Sequence, residues 1–173
     1  MLIRSTLFAG IALLAASAAV QAQTATAAVN VNIPSLLVIS SSGSFVFPAG
    51  DGSHYDAGYI ESTSGPTLSH RANVPYRITL EAQSGSMFTF TADPGRSDPD
   101  PNKPVTDLSI FADFDGSPTS AVVGANASPN DFYTRASRGP AQQSELTARM
   151  NLDWTNDPPG TYSTTILFTM IAQ

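Results

Sequence analysis

The sequence predicts an all-β sandwich with Greek-key connections, and three observations carry that expectation. Apolar residues recur with period two in several stretches, most clearly Tyr76 to Gln83 and Glu145 to Trp154. Clusters of Gly, Pro, Asn and Asp punctuate those stretches at short intervals. No amphipathic helix is expected after Ala22, because apolar residues there do not gather on one face at helical spacing. Many short strands with turn signals between them call for two packed sheets.

The first 22 residues stand apart from the fold. Met1 to Ala22 opens with one cation, Arg4, continues through the apolar run Leu7 to Ala16, and closes on Val20-Gln21-Ala22. That is the layout of a cleaved signal peptide, and the run is short for a membrane span. Residues 1–22 are therefore expected to be removed, leaving 23–173 as a single domain of 151 residues (173 minus 22) with no membrane insertion. Without Arg4 the mature chain has seven Lys plus Arg against fourteen Asp plus Glu, a net charge of −7. A chain with one lysine, Lys103, offers no electrostatic footprint for nucleic acid. There is no cysteine, so sheet packing must supply the stability, and thiolate chemistry is excluded.

In chain order, Ala25, Ala27, Val29, Val31 and Ile33 alternate with Thr24, Thr26, Ala28, Asn30 and Asn32, which predicts a strand over 24–33 ending at Pro34. It suits the first strand of its own sheet, since 36–39 runs straight on into the core. It also suits a strand added to a neighbouring molecule, because unpaired edges invite strand addition. Residues 45–47 form a short strand, 49–53 a loop and 55–62 a weaker strand, with a turn at Gly65-Pro66, after which 67–71 leads into Ala72 to Pro75. Tyr76, Ile78, Leu80 and Ala82 mark the inward face of the best strand in the first half, with 87–91 expected to return as its hairpin partner. The four prolines between Ala92 and Pro104 enforce a solvated loop. Strands are expected over 105–112 (Leu108, Ile110 and Ala112 inward), 121–123 and 132–136, with turns at 113–118, 124–130 and 138–140.

Leu146, Ala148, Met150, Leu152 and Trp154 then give a strand over 145–154, and Asn156 to Gly160 a turn. The terminal run Pro159 to Gln173 carries Tyr162, Thr164, Ile166, Phe168 and Met170 on one face. It is expected to form a hairpin with 145–154 and, being apolar on both faces, to lie inside the sandwich.

No catalytic constellation is visible. His54 and His70 stand alone, and neither belongs to a spaced set of metal ligands. No Gly-x-Ser-x-Gly elbow or phosphate-cradling Gly loop occurs, so an enzyme is not expected. Asp93, Asp98, Asp100, Asp113 and Asp115 supply the oxygen donors that Ca²⁺ takes, but EF-hand spacing fails and Asp-Gly and Asp-Pro are ordinary turn chemistry. No metal or cofactor is expected.

The segment Gly160-Thr161-Tyr162-Ser163-Thr164-Thr165-Ile166-Leu167-Phe168 resembles the closing strand of bacterial fimbrial subunits of the spore-coat-protein-U type, and Asn73 to Leu80 is similar to a strand in the middle of such domains. The chain departs from them in lacking a cysteine pair. The resemblance implies an exported immunoglobulin-like, pilin-like subunit of the cell surface, self-assembling with the help of a periplasmic chaperone and an outer-membrane usher. The sequence thus leads to a non-catalytic structural or adhesive subunit. The alternative is an extracellular carbohydrate- or ligand-binding module using the loops around Asp51, Asp98 and Asp115, for which the aromatic candidates Tyr55, Tyr59, Phe132, Tyr133 and Trp154 are scattered along the chain.

Overall fold

A computed structural model describes residues 28–83 and 85–173. The predicted signal peptide and the first part of the predicted 24–33 strand lie outside the described residues. The chain divides into residues 1–33 and 34–173. In the first unit, residues 28–33 carry no strand, contrary to the expected first strand, and Val29, Val31 and Ile33 are exposed. Their alternation supplies a face, but no ladder in the structure includes them.

Residues 34–173 form an all-β sandwich of antiparallel ladders. The strands are β1 (Leu37–Ser42), β2 (Tyr59–Glu61), β3 (Thr67–Ala72), β4 (Tyr76–Ala82), β5 (Thr89–Ala92), β6 (Leu108–Phe114), β7 (Ser117–Val122), β8 (Asn130–Arg135), β9 (Gly139–Glu145), β10 (Thr147–Asn151), β11 (Gly160–Ser163) and β12 (Ile166–Ala172). They pair in the orders β1-β3-β9, β2-β10-β6-β7, β11-β5 and β12-β4-β8. Of these ladders only β6–β7 joins consecutive strands, so the rest require the long connections of Greek-key type. Asp115 and Gly116, with φ of 54° and 76°, make the tight turn of that hairpin.

The core follows the alternation of β4 and β6. Tyr76, Ile78, Leu80 and Ala82 are fully buried, and Leu108, Ile110 and Ala112 are buried facing them, together with Leu68, Phe114 and Leu146. Strand β4 is the centre of its sheet, flanked by β12 and β8, so its inward residues are covered from both sides.

The predicted terminal hairpin does not form. Both sides of β10 are already taken, by β2 and by β6, which leaves no edge for the chain end. After Asn151 the backbone turns away, and β11 and β12 instead pair along β5 and β4, with Tyr162 opposite Phe90 and Phe168 opposite Leu80. The expected hairpin between 76–83 and 87–91 is replaced in the same way, since both of those strands pair with the terminal run. Strand β12 is also an edge strand rather than an interior one. Gly160 opens β11 because a Cβ there would overlap the Phe90 ring and the Thr91 carbonyl.

Further elements differ from expectation: residues 45–47 make only an isolated bridge from Val46 to Ser64, and Val105–Asp107 form a 3-10 turn ahead of β6. A short helix, α1 (Gly52–Ala57), replaces part of the predicted loop and the start of the predicted 55–62 strand. Asp51 caps it, its Oδ1 accepting the Ser53 and His54 amides at 2.9 and 3.2 Å while His54 Nδ1 returns to the Asp51 amide, and Gly58 ends it at φ 78°. Strand β9 occupies residues expected to be a turn and a polar connection, because its inward residue is the buried Gln142 rather than a hydrophobe.

Candidate functional site

A wide opening in residues 34–173 lies near two neighbouring sheet edges. Strands β1 and β12 are each the edge of a sheet, and they run beside one another without ladder hydrogen bonds. A groove of about 910 Å³ opens there, bounded by the chain after β1 and by the β11–β12 junction. Its walls include Phe45, Phe47, Phe88, Met150, Tyr162 and Ile166. Phe45, Phe47, Ile166, Phe168 and Met170 pack on the core yet stay only half-buried. In a finished sandwich of this size such side chains would be covered. The groove is open, and its lining mixes apolar side chains with polar ones such as Ser41, Asp93 and Thr164.

A second cluster is polar and enclosed. His70 on β3 is buried, with Nδ1 2.6 Å from the Tyr76 hydroxyl. The Phe114 ring stands across it at 4.6 Å and 75°, with Tyr133 at 5.3 Å. Burial, then the nearby Arg135 charge, push the imidazole down from 6.5 to about 4, with Asp115 opposing them. His70 is therefore neutral at pH 7, and its Nε2 has no hydrogen-bond partner among the described residues. If Tyr76 donates to Nδ1, Nε2 carries the hydrogen and faces aromatic rings, where an N–H···π contact offsets part of the loss. Tyr133 donates to Gln142 Oε1 at 3.0 Å, and Gln142 donates in turn to Asp115. The cluster holds the two sheets in place and is closed to a substrate.

A third is an ion-pair bridge. The buried Lys103 Nζ reaches Asp157 at 2.7 Å and Asp107 at 3.0 Å, tying the proline-rich loop to the turn after β10. Asp157 also accepts the Asp153 amide at 2.9 Å, and its backbone carbonyl accepts the Tyr55 hydroxyl at 2.9 Å.

The acidic loop residues serve local structure. Asp51 caps α1, Asp98 pairs with Arg96, Asp100 accepts the Asn102 amide, and Asp115 turns the β6–β7 hairpin. Among the described residues no group of three or more His, Asp or Glu side chains is arranged to hold a metal ion. Of the five aromatic candidates, Phe132 and Tyr133 belong to the core region, and Tyr59 lies under the Arg149 guanidinium at 4.3 Å. Tyr55 and Trp154 do meet, their ring centres 4.7 Å apart at 30°. They are 99 positions apart in the chain (154 minus 55), and nothing in the sequence pairs them. No family model matches the chain, and no curated protein does either.

Proposed function

We propose that the chain is an exported, non-catalytic structural subunit that assembles by strand addition, the N-terminal segment of one copy completing the sandwich of the next. The observation that carries this reading is the seam itself: two sheet edges, β1 and β12, beside a groove walled in part by apolar side chains, in a chain whose Val29, Val31 and Ile33 alternate, are exposed and enter no ladder. The pilin-like pattern of Gly160 to Phe168 and the signal-peptide layout of residues 1–22 point the same way.

Magnitudes decide what such an assembly needs. Burying the three side chains would contribute on the order of 5–9 kcal/mol, at about 1.5–3 each. Ordering six residues costs about 6–12 kcal/mol, so the side chains alone do not suffice. The balance must come from ladder hydrogen bonds to a free edge, at about 1 kcal/mol each, and from the apolar side chains that the incoming strand would cover. The edges of β1 and β12 and the groove beside them offer both.

The test is the assembly state of the mature chain, residues 23–173, by light scattering. The mature chain should form concentration-dependent oligomers, and the combined Val29→Asp, Val31→Asp, Ile33→Asp variant should stay monomeric with unchanged far-ultraviolet dichroism. A mature chain that is monomeric at all concentrations, or a triple variant that assembles as well as the parent, would overturn the reading.

A further inference from the structure

We infer that the open face of Trp154 is a stacking platform for a pyranose ring, so that the chain binds β-linked oligosaccharides at the corner formed by α1 and the turn after β10. Trp154 is 64% exposed, the most exposed aromatic side chain of the sandwich. An exposed indole contributes little to the core, yet this one is fixed from several directions. Tyr55 lies against one face of the ring, the indole N–H donates to Asp56 Oδ1 at 3.1 Å, and the backbone at Gly52 passes beside the ring. Tyr55 is itself held by its hydroxyl on the Asp157 carbonyl, and Asp157 by the buried Lys103. Three chain segments thus hold one aromatic plane in place, and most of the indole is left to solvent. A platform set in advance spares the ordering cost that weakens binding to mobile side chains.

The chemistry around the plane selects the ligand class. A pyranose with equatorial substituents shows axial C–H groups on its faces and hydroxyls around its rim. The C–H face matches the negative face of the indole quadrupole, and the rim needs hydrogen-bond partners at the edge of the plane. Asp56 Oδ2, the Thr155 hydroxyl and the Asn156 side-chain carbonyl make no hydrogen bond among the described residues and sit on the segments that carry the rings. A quaternary ammonium ion is the competing ligand, since Asp51, Asp56 and Asp153 make the corner acidic. Its binding relies on several rings enclosing the cation, whereas here the two rings that meet, Tyr55 and Trp154, lie against each other and form no cage. This inference does not depend on the assembly reading.

Trp154 is the chain's only tryptophan, so its fluorescence reports the site directly. The mature chain is titrated with cellotetraose, with chitotetraose and, separately, with choline chloride. A saturable emission change with at least one tetrasaccharide is expected, with a Kd on the order of 1 mM and protection from acrylamide quenching. Calorimetry should then show about a tenfold or greater loss for Trp154→Ala and a smaller loss for Trp154→Phe and Asp56→Asn. Far-ultraviolet dichroism of each variant checks the fold, and the Phe variant keeps the test valid if the Ala variant is damaged. No saturable change with either sugar, sugar binding that survives in Trp154→Ala, or saturation by choline alone would overturn the assignment. Repeating the titration on the N-terminal triple variant separates sugar binding from assembly.

Discussion

Acidification should destabilise this fold through His70 in a window set by its surroundings. The unfolded chain takes up the proton near pH 6.5, whereas the folded chain holds His70 neutral down to about 4. Between those values the unfolded state binds more protons, so stability is fully present above pH 6.5 and falls as the pH drops toward 4. A displacement from 6.5 to about 4, at 1.36 kcal/mol per unit, comes to about 3 kcal/mol. That is a large share of the 5–15 kcal/mol typical of a domain. His70→Gln isolates the effect, because a glutamine keeps an acceptor for Tyr76 and cannot take up the proton. Urea unfolding at pH 7, 6, 5 and 4 should show the parent losing stability faster than His70→Gln, the gap widening by about 3 kcal/mol from pH 7 to pH 4. Carboxylates titrate in both proteins and cancel in the comparison. Parallel curves for the two proteins, or a His70 imidazole resonance titrating near pH 6.5 in the folded state, would show that burial of His70 does not govern the acid response.

Two further outcomes follow from the packing. Lys103→Met leaves the buried Asp157 carboxylate without its cation and should cost about 3–5 kcal/mol in urea unfolding, part of it recovered when Asp157→Asn is added. Gly160→Ala drives a methyl into the Phe90 ring and the Thr91 carbonyl and should lower stability by about 1–3 kcal/mol, seen as a lower Tm. Gly50→Ala, with open space around it, should leave Tm nearly unchanged and serves as the control.

What could be read from the sequence, and what could not, divides along physical lines. The inward faces of β4 and β6 were legible because burial and alternation coincide there, from Tyr76 to Ala82 and from Leu108 to Ala112. The turn at Asp115-Gly116 was legible because a tight hairpin needs positive φ. Strand β9 was not, since Gln142 is buried by virtue of its bonds to Tyr133 and Asp115 rather than its hydropathy. Helix α1 is too short for a period to show, and only the Asp51–His54 capping box reveals it. Strand partners were the hardest part. Proximity in sequence favoured pairing 145–154 with the chain end, but the two flanks of β10 go to β2 and β6, and no local pattern encodes that. Trp154 shows the same limit: its period-two position suggested a strand, yet β10 ends at Asn151 and the indole stands out in the following turn. The site features were therefore set by long-range packing, and the aromatic pair by contact across 99 positions (154 minus 55).

Whether the seam beside β1 and β12 accepts a strand can be read by adding one. A synthetic peptide of residues 23–34 is titrated into the mature Val29→Asp, Val31→Asp, Ile33→Asp variant, whose own segment is disabled. Saturable binding by calorimetry is expected, with chemical-shift changes on β1 or β12 and a raised Tm, and no binding by a peptide carrying the same three substitutions. Equal behaviour of the two peptides, or no binding by either to a folded variant, would contradict strand addition at this seam.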